Sequence, residues 1–199
     1  YDASAWSVAH FYNIKYQEAS KIPQGKRIKK ASDLGTLVPL KKSNYAYAVN
    51  AQDYNIPALI QGLQDNNLVA STAFKPFQTK GNLAFPYGSL VIPVALQSKS
   101  SEETYTVLQT LQKQHQVQIH GLPTGFSTQG VDLGSRNIRP IKKPKVAMII
   151  GEGTRSYEAG EVWHLLDTRV GMPITKVHQH RFKNLDLEKY NTVVLISGR

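Results

Sequence analysis

The fold of this chain is decided by residues 145–173, KVAMIIGEGTRSYEAGEVWHLLDTRVGMP. The uninterrupted apolar run Val146–Ile150 is typical of a strand that is buried on both faces. The sequence Gly-Glu-Gly then turns the chain, and Ser156 is placed to cap a helix whose apolar residues recur at helical spacing. A glycine and a proline after Val170 end that helix. The stretch therefore predicts a strand, a tight turn and a capped helix.

Two more strands are predicted after this helix. We expect one at Ile174–His178 and one at residues 192–197, with a short helical stretch near residues 186–190 between them. Strand, helix, strand, strand is the beginning of a parallel α/β sheet, so we interpret residues 145–199 as the first part of such a domain. One helix covers only one face, and we expect another chain or the preceding module to cover the exposed face and edge.

A second module is predicted at residues 45–126. Asn55 is placed to cap one helix, and Ser100 with Glu103 forms a capping box before another. Pro93 indicates that the third strand lies at a sheet edge or contains a bulge. The predicted strands are residues 45–49, 68–74, 89–95 and 117–120. The order β-α-β-β-α-β fits a ferredoxin-like α+β sandwich, in which two helices pack on one antiparallel sheet.

The remaining residues are interpreted as connections. Residues 1–44 combine aromatic residues without a sustained period and a stretch rich in lysine, glycine and proline, which indicates an exit or linker segment from an upstream domain. Residues 127–144 contain two glycines and two prolines without any period, which is typical of a connector between domains. Because the first residue is Tyr1 and the sequence stops after the third parallel strand, we expect an interior piece of a larger protein.

Composition excludes some classes of function. The chain of 199 residues contains no cysteine, which excludes disulfides, thiolate nucleophiles and cysteine-type zinc sites within it. An apolar run near 18 residues is also absent, so no membrane-spanning helix is predicted. The net charge of +10 favours contact with polyanions at low salt. The favoured interpretation of the basic residues is a solvated loop, and a polyanion site stays an alternative, with nucleic acid the less favoured partner. The residues of such a site would be Lys26, Arg27, Lys29, Lys30, Lys41 and Lys42.

The histidines of the chain leave a metal site possible. Six histidines are present without an HxxE or HExxH pattern. Glu161 with His164 on one helix face, and His178 with His180 on a strand, leave a metal site geometrically possible, and surface pairs are the alternative.

The Gly-Glu-Gly turn lacks the third glycine of a dinucleotide fingerprint and the lysine of a phosphate-binding loop. It nevertheless precedes a helix N-terminus at the carboxyl edge of a parallel sheet, where ligands bind, although a structural turn is the alternative. The candidate ligand-binding residues are Gly151, Glu152, Gly153, Arg155 and Glu161.

Four segments together resemble the C-terminal half of large bacterial proteins of the zinc carboxypeptidase (carboxypeptidase A-like) family. They are YDASAWS at 1–7, FPYGSLVIPV at 85–94, GVDLGS at 130–135 and GEGTRSYEAGEVWHLLDTRVGMPIT at 151–175. In those proteins a small α/β region and a class I glutamine amidotransferase-like domain follow the catalytic domain. The resemblance implies a ferredoxin-like module followed by the first strands and helix of a flavodoxin-like, amidotransferase-type parallel sheet.

The resemblance also implies a function for the parent protein. The family's zinc ligands lie in an HxxE pair and a later histidine, and no HxxE pair occurs here. The implied role is therefore a non-catalytic accessory segment, inactive alone and without a cofactor, with zinc in the parent's catalytic domain. Its implied partners are the upstream peptidase domain and another copy of itself through the incomplete sheet, in a periplasmic or secreted location. A small-molecule or anion-binding module and a polyanion binder remain alternatives.

Overall fold

A computed structural model describes residues 37–198 continuously, and before them only residues 9, 15–18, 20–22, 24, 25, 27 and 29. The chain divides into two compact units, Tyr1–Val38 and Pro39–Arg199. The segment YDASAWS and most of the linker interpreted at residues 1–44 therefore lie outside the described residues. The second unit is mixed α/β and contains two antiparallel sheets and one parallel sheet.

Within residues 37–198 the chain forms eleven strands and three α-helices. In chain order they are β1 (Ala46–Val49), α1 (Ile56–Asp65), β2 (Ser71–Ala73), β3 (Phe77–Thr79), β4 (Leu83–Phe85), β5 (Leu90–Pro93), α2 (Ser101–His115), β6 (Ile119–Leu122), β7 (Gln129–Gly130), β8 (Ile138–Pro140), β9 (Val146–Ile150), α3 (Ser156–Trp163), β10 (Ile174–His178) and β11 (Thr192–Leu195). Each strand and helix predicted from the sequence is present, with bounds that differ by a few residues.

The larger antiparallel sheet has the strand order β6-β1-β5-β2-β8 and is buried on both faces. On one face Tyr47 and Val49 pack with apolar residues of α1 and α2. On the other face Ala46 and Ala48 pack with a small sheet of order β4-β3-β7. The alternation of large and small residues in β1 therefore reflects two different covering layers, and small residues let the second sheet approach closely.

The two helices of this module begin in different ways. At α2, the Ser100 side chain accepts a hydrogen bond from the Glu103 amide and the Glu103 carboxylate accepts one from the Ser100 amide, which confirms the capping box. At α1, Asn55 stands at the N-cap position but makes no capping hydrogen bond. Its side-chain amide donates to the His115 carbonyl at 2.9 Å, so it ties the start of α1 to the end of α2.

The edge position expected from Pro93 is wrong, because β5 lies inside the sheet between β1 and β2. Pro93 is the last residue of β5, and its neighbour β2 pairs only with Leu90 and Val91. The Gln97 side chain occupies the place that β2 leaves. Its amide nitrogen donates to the carbonyls of Pro93 and Val69, and its oxygen accepts from the Val69 amide. A proline is tolerated there because no ladder hydrogen bond needs its missing N–H.

Residues 127–144, interpreted as a connector, contain two short strands. Strand β7 pairs with β3 in the small sheet, and β8 pairs with β2 at the edge of the larger sheet. Both strands are too short to produce a recognisable period in the sequence.

The parallel sheet has the order β10-β9-β11, with β9 in the centre. As predicted, β9 is almost completely buried. The expected capping residue Ser156 is instead the first residue of α3, because Arg155 is held extended by the hydrogen bond from its amide to the Ser197 carbonyl. After Trp163 the helix widens into a π-helical turn, His164–Arg169, and Gly171 follows with a φ of +75°.

Strands β10 and β11 form the two edges of this sheet, and β11 exposes apolar side chains. Val193 is 40% exposed and Leu195 is 74% exposed. The face opposite α3 was expected to need another chain or the preceding module, and this is wrong, because Leu185 and Tyr190 of the same chain pack on the apolar cluster that contains Ala147 there. The apolar side chains of β11 lie at an edge that the described residues leave open.

Candidate functional site

The loop after β9 is shaped by two glycines in the left-handed region. Gly151 has a φ of +117° and Gly153 a φ of +86°. A Cβ atom on Gly151 would lie 2.9 Å from Nδ1 of His178, so the loop passes against the last residue of β10. The Thr154 hydroxyl donates to the Gly151 carbonyl at 2.7 Å and closes the turn. Glycine is required here by backbone conformation and by the close approach of the histidine ring.

The same loop is joined to the end of β11. Thr154 forms a bridge with Gly198, and the Arg155 amide donates to the Ser197 carbonyl at 2.9 Å. The Ser197 amide in turn donates to Glu158 Oε2 at 3.3 Å, and Arg155 Nη1 lies 3.3 Å from Glu158 Oε1. The hydrogen bond from Ser197 and the charge of Arg155 lower the pKa of Glu158. The ends of β9 and β11 are therefore held together by backbone and side-chain contacts.

The position of this loop in the sheet is typical of ligand sites. The chain leaves β9 for β10 on one side and then crosses to β11 on the other side. Open parallel sheets bind ligands at the carboxyl ends of the strands, where the strand order reverses in this way. The loop of residues 151–155 stands at this reversal.

The structure brings some of the candidate residues together and leaves others apart. Gly151, Gly153 and Arg155 shape the loop, and residues 153–158 line an open cavity of about 490 Å³. Glu152 and Glu161 are exposed and do not line this cavity. Arg155 is engaged by Glu158, so an incoming anion would compete with that carboxylate.

A second cavity, which we call the helix–sheet cavity, lies between α3 and the sheet and has a volume of about 300 Å³. Its lining includes Met148, Ile150, Ala159, Trp163 and Lys176. None of these five was among the candidate residues predicted from the sequence, but the predicted Gly151 also lines this cavity. The available signal was the alternation of side chains along a strand, because Met148 and Lys176 are register partners in β9 and β10 and point to one face.

The histidines expected near this region do not form a metal centre. The rings of His178 and His180 lie 5.4 Å apart, centroid to centroid. In the part of the chain that the structure describes, no group of three or more histidine, aspartate or glutamate side chains could hold a metal ion.

The basic residues considered for polyanion binding are only partly described. Lys26 and Lys30 lie outside the described residues, whereas Arg27, Lys29 and Lys41 are exposed. Lys42 forms an ion pair with Glu102.

None of the described helices has both the length and the apolar character needed to span a bilayer. Comparison of the chain with protein-family models, with curated proteins and with solved structures finds no significant match.

Proposed function

We propose that this chain is a non-catalytic accessory segment of a zinc carboxypeptidase-type protein, in which proteolysis belongs to the parent's catalytic domain. The observation that carries the proposal is the place of the resembling segments in the fold. The longest, residues 151–175, covers the loop after β9, the whole of α3 with its π-helical turn, and the first two residues of β10. Segments 85–94 and 130–135 contribute to one apolar cluster, so the shared residues are those that hold the module together.

This cluster shows how the two shorter segments support each other. Phe85 stacks on Phe77 with ring centroids 4.8 Å apart, and both rings are 2% exposed. Val131 and Leu133 pack against the same cluster. Asp132 accepts a hydrogen bond from the Ser127 amide at 2.7 Å and fixes the loop that carries them. Residues with these roles are framework residues, which is the role expected of a segment that supports a catalytic domain.

The finer fold assignment belongs to the same proposal. We propose a ferredoxin-like module with an added edge strand β8, and the first part of a flavodoxin-like, amidotransferase-type domain. In support, the order β6-β1-β5-β2 puts each βαβ pair around one intervening strand, with two helices on one face. The order β10-β9-β11 is that of the first three strands of a flavodoxin-like sheet.

The partner in this proposal is the upstream peptidase domain, and self-association through β11 is the alternative. The exposed Val193 and Leu195 are apolar surface that a partner can cover. The variant Leu195→Asp should weaken such contact, and Lys80→Asp in the exposed β3–β4 turn is the control. Light scattering reports self-association, and titration with the separately produced peptidase domain reports binding.

The test of the leading function is direct. The purified chain should contain no stoichiometric zinc and should not release C-terminal residues from peptides, whereas the full reading frame should encode an upstream domain with an HxxE motif. Stoichiometric zinc with peptide turnover by this chain would contradict the proposal, as would a reading frame without a peptidase domain.

A second candidate function is small-molecule or anion binding by the parallel-sheet domain. It is favoured by one specific observation, the cavity at the strand-order reversal beside the loop of residues 151–155. A thermal-shift screen with anions, amino acids and nucleotides tests it. Stabilisation by at least one ligand is expected, and a screen without any stabilising ligand would argue against it.

A further inference from the structure

The helix–sheet cavity has the composition of a small-ligand site. Its floor is Met148, which is 1% exposed, and its walls include Ile150, Ala159 and the Trp163 ring. Ligand pockets are mostly apolar with a few polar groups, and their volumes are about 300–1,000 Å³. At about 300 Å³ the cavity is at the lower end of that range, which favours an amino-acid-sized molecule over a nucleotide.

One cation faces this apolar space. Among the residues that the structure describes, Lys176 is the only charged one that lines the cavity, and none of the described carboxylates lines it. The Lys176 Nζ atom lies 4.5 Å from the centroid of the Trp163 ring, which positions the ammonium group over the indole. A cation held beside apolar walls attracts an anion whose remaining atoms are apolar. The charge in the cavity therefore selects against cations and against neutral molecules.

The cavity stays open because the helix presents small residues to it. Gly160 lines the cavity, and a Cβ atom built on Gly160 would meet no other atom within 4 Å. The Thr154 and Ser156 side chains form its polar rim. The Thr154 hydroxyl already donates to Gly151, so among the described lining residues Lys176 supplies the positive charge and the Ser156 hydroxyl can also donate to an anion.

We propose that the helix–sheet cavity binds a small organic monocarboxylate. Its carboxylate contacts Lys176 Nζ, and its apolar body lies between Met148 and the Trp163 ring. The inference rests on the second candidate function, ligand binding by the parallel-sheet domain, but it places the ligand in the helix–sheet cavity and not in the cavity lined by residues 153–158, and it names the class of ligand.

Phenylacetate is a suitable probe, with phenylacetamide as the neutral analogue and inorganic phosphate as an anion without an apolar body. Binding is followed by calorimetry and by Trp163 fluorescence in a Trp6→Phe background. We expect phenylacetate to bind at least about tenfold more tightly than phenylacetamide, because the amide oxygen can still accept a hydrogen bond from Lys176 but carries no negative charge to pair with the ammonium group. Phosphate should not compete with it.

Variants locate the site. Lys176→Gln removes the charge, and Gly160→Leu fills the cavity while leaving Lys176 in place. Each should weaken phenylacetate binding at least about tenfold. Lys80→Gln in the β3–β4 turn should bind as the unchanged chain does, and Arg155→Gln tests the loop of residues 151–155 separately. If circular dichroism shows that Gly160→Leu does not fold, the comparison of phenylacetate with phenylacetamide in Lys176→Gln tests the same site.

The outcomes separate this inference from the second candidate function. Binding that is lost in Arg155→Gln but kept in Lys176→Gln would overturn the inference and leave ligand binding at the loop. Equal binding of phenylacetate and phenylacetamide would also overturn it. Failure of every tested anion and small molecule to bind would overturn both, and would not affect the accessory-segment proposal.

Discussion

The buried hydroxyl of Tyr47 provides the sharpest test of how the antiparallel module is held together. Tyr47 is 0% exposed, and its Oη atom accepts a hydrogen bond from the Ser43 amide at 3.0 Å and donates one to the Ser43 carbonyl at 3.1 Å. Ser43 is buried as well, and its own hydroxyl donates to the Leu122 carbonyl at 2.6 Å. The tyrosine hydroxyl therefore fixes the chain that enters β1.

The variant Tyr47→Phe removes one oxygen atom and leaves the ring in place. The Ser43 amide then stays buried without a partner, which costs about 1–3 kcal/mol of the free energy of unfolding. A loss of about 2 kcal/mol reduces the ratio of folded to unfolded protein up to about 30-fold. Urea denaturation monitored by circular dichroism measures this change. The control Tyr87→Phe, at a position that is 63% exposed, should change the free energy of unfolding by less than about 0.5 kcal/mol.

The same variant has a pH signature. Burial raises the pKa of Tyr47 above its ordinary value of 10.0. The unfolded chain therefore releases the proton first, so this group's stabilisation is complete below about pH 10 and is lost as the pH rises toward the folded-state pKa. In Tyr47→Phe the free energy of unfolding should therefore decline less as the pH rises into the alkaline range. If Tyr47→Phe and Tyr87→Phe have equal free energies of unfolding, the reasoning about the buried hydroxyl is wrong.

Three other perturbations test separate parts of the structure. In Gly121→Ala the new Cβ atom would lie 2.2 Å from the Lys41 carbonyl oxygen, so we expect a loss of about 1–3 kcal/mol by urea denaturation, whereas Gly134→Ala, with no atom within 4 Å, should be neutral. Ser100→Ala removes the capping box and should lower the free energy of unfolding by about 1 kcal/mol; an unchanged urea midpoint would contradict the importance of the cap. Burial lowers the pKa of His120 below 6.5. The contribution of this group to the free energy of unfolding is therefore complete above pH 6.5 and declines as the pH falls toward the folded-state pKa. In His120→Gln the free energy of unfolding should fall less at acid pH than in the unchanged chain.

The sequence predicted those elements whose signals are local. The apolar run of β9 identifies a strand buried on both faces, because five consecutive apolar residues do not suit a half-exposed strand. The capping box at Ser100 depends on residues three positions apart. In both cases the residues that determine the structure are neighbours in the chain.

The small sheet and the two short strands within residues 127–144 could not be predicted from such local signals. Strands β3, β4 and β7 have only two or three residues each, which is too short for any period. Their presence depends on Phe77 and Phe85 stacking against the alanine face of β1, a contact between distant residues. The sequence alone therefore predicted that one face of the larger antiparallel sheet is covered, whereas both faces are covered.

The candidate site was predicted in part for the same reason. The conformation of the Gly151 loop is a local property, and the two glycines indicate it. Lys176 and Trp163 meet only because β10 pairs in parallel with β9 and α3 crosses above them. Glu161 lies on α3 and was predicted to bind the ligand, but its side chain is on the exposed side of that helix.

The side chain of Gln97 substitutes for a missing length of strand, and this limits which residues evolution can use there. Asparagine would be one carbon too short to reach Pro93 and Val69 together, and glutamate could not donate to their two carbonyls. A single glutamine thus binds the backbone groups that β2 leaves unpaired beside Pro93, and its replacement would remove this partner from the Pro93 carbonyl and from both backbone groups of Val69.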